Sequence, residues 1–249
     1  MGRAAIQRSF VAGVAALSLA FLAGCSDFGG TESGKGASEV AVEGSKAPAL
    51  SVADLEKAAL KDGDVEGHKV TEPTLTVEQK DVEADDQACL PVAYAAMGTV
   101  VDAPGATVQR ETASEPDALA AKDDPSSVLH VTRNLIRLSS YEGESAQAAM
   151  DSLSKSADAC AKGFKVTADG ADQQVTKVAK TTAPQGADQA IALDVITEVE
   201  GDKVPLQVVV IRKGSILGYF TALNLGSFAT GKDFDFPTEV VDAQLVKLA

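Results

Sequence analysis

The chain has 249 residues, 45% of them hydrophobic, enough to bury a sizeable core in one domain with a tether, or at most two small domains. Its 36 acidic against 22 basic residues give a formal charge of −14, and a surface of that sign repels nucleic acid and anionic lipid headgroups. Aromatics are 4% and tryptophan is absent, so the core must come from Val, Leu, Ile and Ala, and the ring-stacking surfaces that sugar sites usually use are scarce.

The first segment carries Arg3 and Arg8, then an apolar stretch from Phe10 to Leu22. A basic start, a short apolar run and a small-residue exit are the parts of a secretory signal peptide. The run is too short for a spanning helix, which needs roughly 20 apolar residues. The exit Leu22-Ala23-Gly24-Cys25 resembles a bacterial lipoprotein lipobox. That resemblance implies that residues 1–24 are removed and that Cys25 receives a diacylglycerol. The membrane is then a partner through a lipid anchor on its extracytoplasmic face. An ordinary secreted protein with an incidental cysteine is the alternative. Residues 25–48 hold Gly29-Gly30-Thr31-Glu32-Ser33-Gly34-Lys35-Gly36 and almost no large apolar side chain, which reads as a flexible tether.

The folded part, 49–249, begins near Pro48. Ser51 can cap a helix over Val52 to Lys61, with Leu55 and Leu60 inward. Val70, Leu75 and Val77 alternate loosely enough for one short strand. A second helix starts near Cys89, because Pro91 is tolerated only in a first turn, and Gly98 stops it. Strands begin from Thr107. The run Val128 to Ser140 places Arg133 and Arg137 on one face. The clearest helix runs from Glu142 to about Ala161, with Ala146, Ala149, Met150, Leu153, Ala157 and Cys160 at steps of three and four. Strands over 190–199, 204–212 and 216–223, joined by Gly-containing turns, make an antiparallel meander. Pro237 opens a last helix with Val240, Val241, Leu245 and Leu248 inward. The fold class is therefore α+β: a twisted antiparallel sheet with two to four helices packed against it.

Chemistry is harder to find. With Cys25 lipidated, Cys89 and Cys160 remain, and an even pair in an exported chain reads as one disulfide. Two buried free thiols are the alternative. His68 and His130 are the only histidines, and no Gly-x-Ser-x-Gly surrounds a serine. His68 sits in the acidic loop Asp62–His68, which lacks the spacing of a calcium hand. No zinc-ligand spacing, phosphate loop or dinucleotide fingerprint occurs, so no cofactor or metal is expected. Asp85-Asp86 and Asp123-Asp124 are sequence neighbours, and neighbours rarely face each other as acid and base. Arg133 and Arg137 are the candidates for an anion-binding wall, set against the plainer reading of rim charges paired with acids.

The run Gln87-Ala88-Cys89-Leu90-Pro91-Val92, then Ser140-Tyr141, then the alanine-rich helix 145–153 ending at Cys160, followed by the meander and terminal helix, resembles the extracellular sensor domain of PknH-type receptor kinases. The resemblance spans roughly 86–249. It implies a non-enzymatic ligand-sensing fold with a cleft between sheet and helices; the same domain occurs alone in lipoproteins. With no kinase segment here, any signal must pass through a partner protein. The expected function is an extracytoplasmic lipoprotein with a binding or sensor domain for a small molecule, a lipid or a cell-envelope ligand. The alternative is a carrier of lipids or other apolar molecules, like LppX/LprG-type lipoproteins. A hydrolase is the third reading, and the sequence names no nucleophile for it.

Overall fold

The computed structural model describes residues 48–74, 76–115, 130–199 and 201–249. The leader 1–24, Cys25, the tether to residue 47, Leu75 and the Asp123-Asp124 pair lie outside the described residues. In chain order the elements are α1 (Val52–Ala58), β1 (His68–Thr71), β2 (Val82–Ala84), α2 (Leu90–Ala96), β3 (Ala106–Ser114) and β4 (Thr132–Ser140). Then come α3 (Ser145–Ala159), β5 (Phe164–Ala168), β6 (Ala171–Thr181), β7 (Gln189–Val199), β8 (Asp202–Lys213), β9 (Ile216–Asn224), α4 (Leu225–Thr230) and α5 (Thr238–Lys247).

The nine strands form one antiparallel sheet in the order β1-β3-β4-β9-β8-β7-β6-β5-β2. The architecture is α+β, with helices on both faces. Alternation along β8 sorts the two cores: Val208 and Val210 join the cluster beneath α2 and α3, whereas Val209 and Ile211 join the cluster beneath α5. α1 buries Leu55 and Ala59 against Val108 and Leu138 on that second face. The edge strands β1 and β2 have four and three residues, and such short edges offer little template for unwanted pairing. Pro205 fits inside β8 because the β8–β9 ladder begins only at Gln207, so its missing N–H leaves no bond to β9 unmade.

Residues 49–85 belong to the core. Leu55, Leu60, Val65 and Val70 are buried, and β1 pairs with β3 to complete the sheet. α1 stops at Ala58, short of the expected Lys61, yet Leu60 still points inward. The start of the second helix is a 3-10 turn, Gln87–Cys89, capped by Asp86 on the Ala88 N–H; Pro91 then sits in the first turn of α2. The strand expected around Val70 to Val77 shrinks to β1. The expected strand opening at Val128 is seen from Thr132, and Val128 itself lies outside the described residues.

Two devices fix loops onto the sheet. The Tyr141 hydroxyl donates to the Val101 carbonyl at 2.6 Å, and Val101 N–H donates to the Tyr219 hydroxyl at 3.2 Å. The two hydroxyls lie 2.7 Å apart, so Tyr219 must donate to Tyr141 for all three bonds to hold at once. Burial pushes both phenols far above their ordinary pKa, which keeps them neutral donors. At the end of α3, Gly163 adopts φ +92°, and a Cβ there would sit 2.1 Å from the Val175 carbonyl. Gly163→Ala therefore combines left-handed strain with a backbone clash. Urea denaturation is expected to show a loss of about 3 kcal/mol or more. A loss below about 0.5 kcal/mol would mean that the close approach of α3 to β6 is not real.

A candidate ligand-binding cleft

α2 ends where Gly98 turns left-handed at φ +69° and the Thr99 N–H closes back on the Tyr94 carbonyl at 2.8 Å. Beyond that end, the sheet face that carries α2 and α3 lies open. The result is a cleft of about 410 Å³, within the range of small-molecule sites. Its floor is aliphatic: Leu135 from β4, Leu223 from β9, Val204 and Leu206 from β8, and Val199 from β7. Met97 closes one end. Phe228 on α4, half-exposed, stands at another, where α4 packs on β8 and β9.

Thr197 and Thr221 also line the floor, but their hydroxyls are spent elsewhere. Thr221 Oγ1 donates to the Ala95 carbonyl at 2.7 Å, which also ties the last turn of α2 to β9. Thr197 Oγ1 donates to the Val204 carbonyl at 3.3 Å. Thr74 and Gln173 are the neutral polar side chains that remain in the lining. Charge enters only at the rim among the described lining residues. Arg133 Nε donates to Glu111 Oε1 at 2.8 Å, and Arg133 Nη2 reaches the same oxygen. Glu111 is tucked in, with its side chain 13% exposed, and Arg133 stands outside it at 52%.

The two sequence-singled arginines share this face but not a task. Arg137 is buried, and it donates to the Gly98 carbonyl at 2.5 Å and the Val77 carbonyl at 2.6 Å. Burial lowers its pKa, and the charge of Glu78 works the other way. Arg137 is thus a pin. It holds the turn after α2 and the segment near Val77 against β4. Met97, which lines the cleft, is next to the pinned Gly98, and Thr74, also in the lining, is three residues before the pinned Val77.

Cys89 and Cys160 are both buried and joined by a disulfide, with Cα atoms 5.7 Å apart. It links the start of α2 to the end of α3. His68 is buried. Its Nδ1 lies 3.2 Å from the Glu66 carbonyl, which can only accept, so Nδ1 carries the proton. Its Nε2 is 3.5 Å from Glu239 Oε1 in α5. His130 is exposed ahead of β4. The acids of the 62–68 loop are also committed: Asp62 accepts from Val70 N–H, and Asp64 accepts from Lys61 N–H and from Lys247 Nζ. The Lys247 hydrogen bond is the main cause that holds the Asp64 pKa below the ordinary carboxylate range. Asp85 and Asp86 do not face one another as an acid–base pair. Asp85 accepts from Lys165 N–H, and Asp86 caps the turn at Ala88. Among the described residues no three His, Cys, Asp or Glu side chains are placed to hold a metal ion.

The order of elements, the helix-to-helix cysteine link and the cleft beside α2 can now be set against known proteins. The model of the PknH-like extracellular domain matches residues 41–233. The chain belongs to the PknH-like extracellular domain family. The match opens upstream of residue 86, where the sequence motifs begin, in keeping with α1 and β1 being part of the core. Solved structures that resemble the chain include the extracellular domain of PknH from Mycobacterium tuberculosis, at 12% identity and a TM-score of 0.47, covering 81% of this chain and 95% of that one. Another is an uncharacterised protein from Mycobacterium smegmatis, at 15% identity and a TM-score of 0.33, covering 79% of this chain and 94% of that one. No curated protein sequence matches the chain.

The resemblance implies a cleft between sheet and helices, but its lining residues are not legible in the sequence, because the floor is drawn from four strands and the ends from two helices. Arg133 is the one residue already singled out that lies on it.

Proposed function

We propose that this chain is an extracytoplasmic lipoprotein whose domain binds an apolar ligand in the cleft around Leu135, Leu206 and Leu223. The proposed organisation is a leader over 1–24, a lipid anchor on Cys25, a tether over 25–48 and a binding domain over 49–249. Membership of an extracellular-domain family supports the compartment. The observation that carries the binding reading is the floor of the cleft, which is aliphatic and whose Thr197 and Thr221 hydroxyls are turned to backbone carbonyls. Solvent-exposed apolar surface gathered in a concavity marks a binding site more often than a chance exposure.

Native mass spectrometry of the protein purified from its own cell envelope tests this. The expected result is a co-purifying apolar molecule that is lost on Leu206→Glu, which would place a carboxylate on the cleft floor. A ligand that stays bound in a folded Leu206→Glu protein would move the site elsewhere. The same aliphatic floor also suits a carrier that exchanges lipids between membranes. Transfer of a labelled lipid from donor to acceptor vesicles, catalysed by the protein, would favour the carrier; tight retention without transfer favours a sensor that signals through a partner.

The proposal is also that the domain binds without catalysing. The Nδ1 side of the His68 ring is tied to the Glu66 carbonyl, its buried Nε2 makes no hydrogen bond, and no serine hydroxyl bonds either histidine ring among the described residues. The His68→Ala, His130→Ala double variant is expected to retain ligand binding within about twofold, apart from any loss of stability from the buried His68. Measurable substrate turnover by the native protein that disappears in the folded double variant would show an enzyme instead.

A further inference from the structure

The rim of the cleft carries more information than its floor. The floor alone would accept any apolar molecule of suitable size. Among the described lining residues the only ion pair is Glu111 with Arg133, and the two are not equivalent. Glu111 lies inward, with little exposure, whereas Arg133 stands at the mouth. Arg133 gives Nε and Nη2 to a single oxygen of Glu111. A guanidinium has five N–H donors in a planar fork, so one edge is used by Glu111, and Nη1 makes no hydrogen bond to the described residues. A polar group that follows an apolar chain into the cleft meets that Nη1 edge before it meets the carboxylate.

We propose that the ligand is a single-chain amphiphile with an anionic head, its chain along Leu135, Leu206 and Leu223 and its carboxylate or phosphate on the Nη1 edge of Arg133. The inference rests on the cleft being the ligand site. A cationic head would be repelled by the guanidinium, and a head without hydrogen-bond acceptors would leave it unused. The net charge of −14 repels an anionic head at long range, but that repulsion is weak once the head is in the cleft. Exposed charges farther away than about 8 Å are largely screened at physiological salt. Affinity comes from the buried chain, at about 0.8 kcal/mol per methylene. Arg133 then sets the register of the head rather than drawing the ligand in from solution.

The test measures binding by calorimetry to the full-length chain carrying Cys25→Ser, so that no anchor lipid competes for the cleft. The probes are laurate and dodecyl phosphate, which are anionic, and dodecanol, which has the same chain and no charge. Glu111→Gln frees the inner edge of the guanidinium and is expected to tighten both anions while leaving dodecanol unchanged. Glu111→Gln with Arg133→Gln removes both charges and is expected to weaken both anions by about tenfold or more, again without effect on dodecanol. Opposite signs from two neighbouring changes would not follow from damage to the fold. The tighter of the two anions tells a carboxylate head from a phosphate. Leu206→Glu, or Phe228→Ala on the exposed rim if the first fails to fold, is expected to weaken all three probes alike. If the cleft variants weaken the probes but the charge variants treat anion and alcohol the same, the cleft stands and the head assignment falls. If the cleft variants change nothing, or no probe binds, the cleft itself is not the ligand site and both readings fall.

Discussion

Replacing both Cys89 and Cys160 by alanine is expected to lower the stability of the domain by about 4.5 kcal/mol, because the crosslink closes a loop with a sequence separation of 71 residues. Alanine is the right replacement, since both positions are buried and a serine hydroxyl would add its own desolvation cost. Domains of this size have net stabilities of about 5–15 kcal/mol, so the loss is a large share of the total. In thermal unfolding followed by circular dichroism it corresponds to a fall of roughly 10–15 °C. The mechanism also predicts a local consequence. α2 contributes a short run of small side chains to the core and depends on the bond to α3 and on Thr221 to hold its ends. Because Met97 and Ala96 at its end line the cleft, the variant should lose ligand affinity at temperatures where it is still folded. Thiol labelling of the unfolded, unreduced native protein should find neither cysteine. Two reactive thiols, or a fall of less than about 2 °C in the variant, would remove the staple from the account of how α2 is held.

The elements that the sequence makes legible are those in which one periodicity runs long enough to be unambiguous. Ala146, Ala149, Met150, Leu153, Ala157 and Cys160 recur at helical spacing, and all six are buried. β7, β8 and β9 are long, β-branched and joined by turns at Gly201 and Gly214, both with positive φ. β5 and β6 were missed for a physical reason. Lys165, Thr167, Asp172 and Gln174 share one face of the sheet over which no helix packs among the described residues, so half of each strand reads as polar loop. The turn Asp169-Gly170, with φ of +49° and +77°, is the hairpin signal that could have revealed them. β2 and α4, at three and six residues, are too short for any period to show. α1 was legible from its Ser51 cap, but only packing shows that it belongs to the core. At the site, the shared face of Arg133 and Arg137 follows from alternation alone. Their division of labour does not, since Arg137 is consumed by two carbonyls that lie 39 and 60 residues away in the chain.

Cys25→Ser is expected to move the protein from the membrane fraction to the soluble one. The expectation rests on the lipobox-like exit Leu22-Ala23-Gly24-Cys25 after the apolar run. No helix among the described residues is long and apolar enough to cross a membrane. A net charge of −14 gives no electrostatic attraction to an anionic surface. The proposed anchor is covalent lipid on Cys25. A single myristoyl chain gives only marginal, reversible binding, whereas the two chains of a diacylglycerol, at about 0.8 kcal/mol per buried methylene, hold stably. Loss of the thiol at Cys25 removes both chains at once, so the partition should change nearly completely rather than by degrees. The uncleaved leader could mimic an anchor, and mass spectrometry separates the two cases. The native protein should begin at residue 25 with the mass of a diacylglycerol added, and the variant should carry no such addition. Native protein of unmodified mass, or a variant that stays with the membrane after its residue 1–24 peptide has been removed, would show that the anchor is not on Cys25.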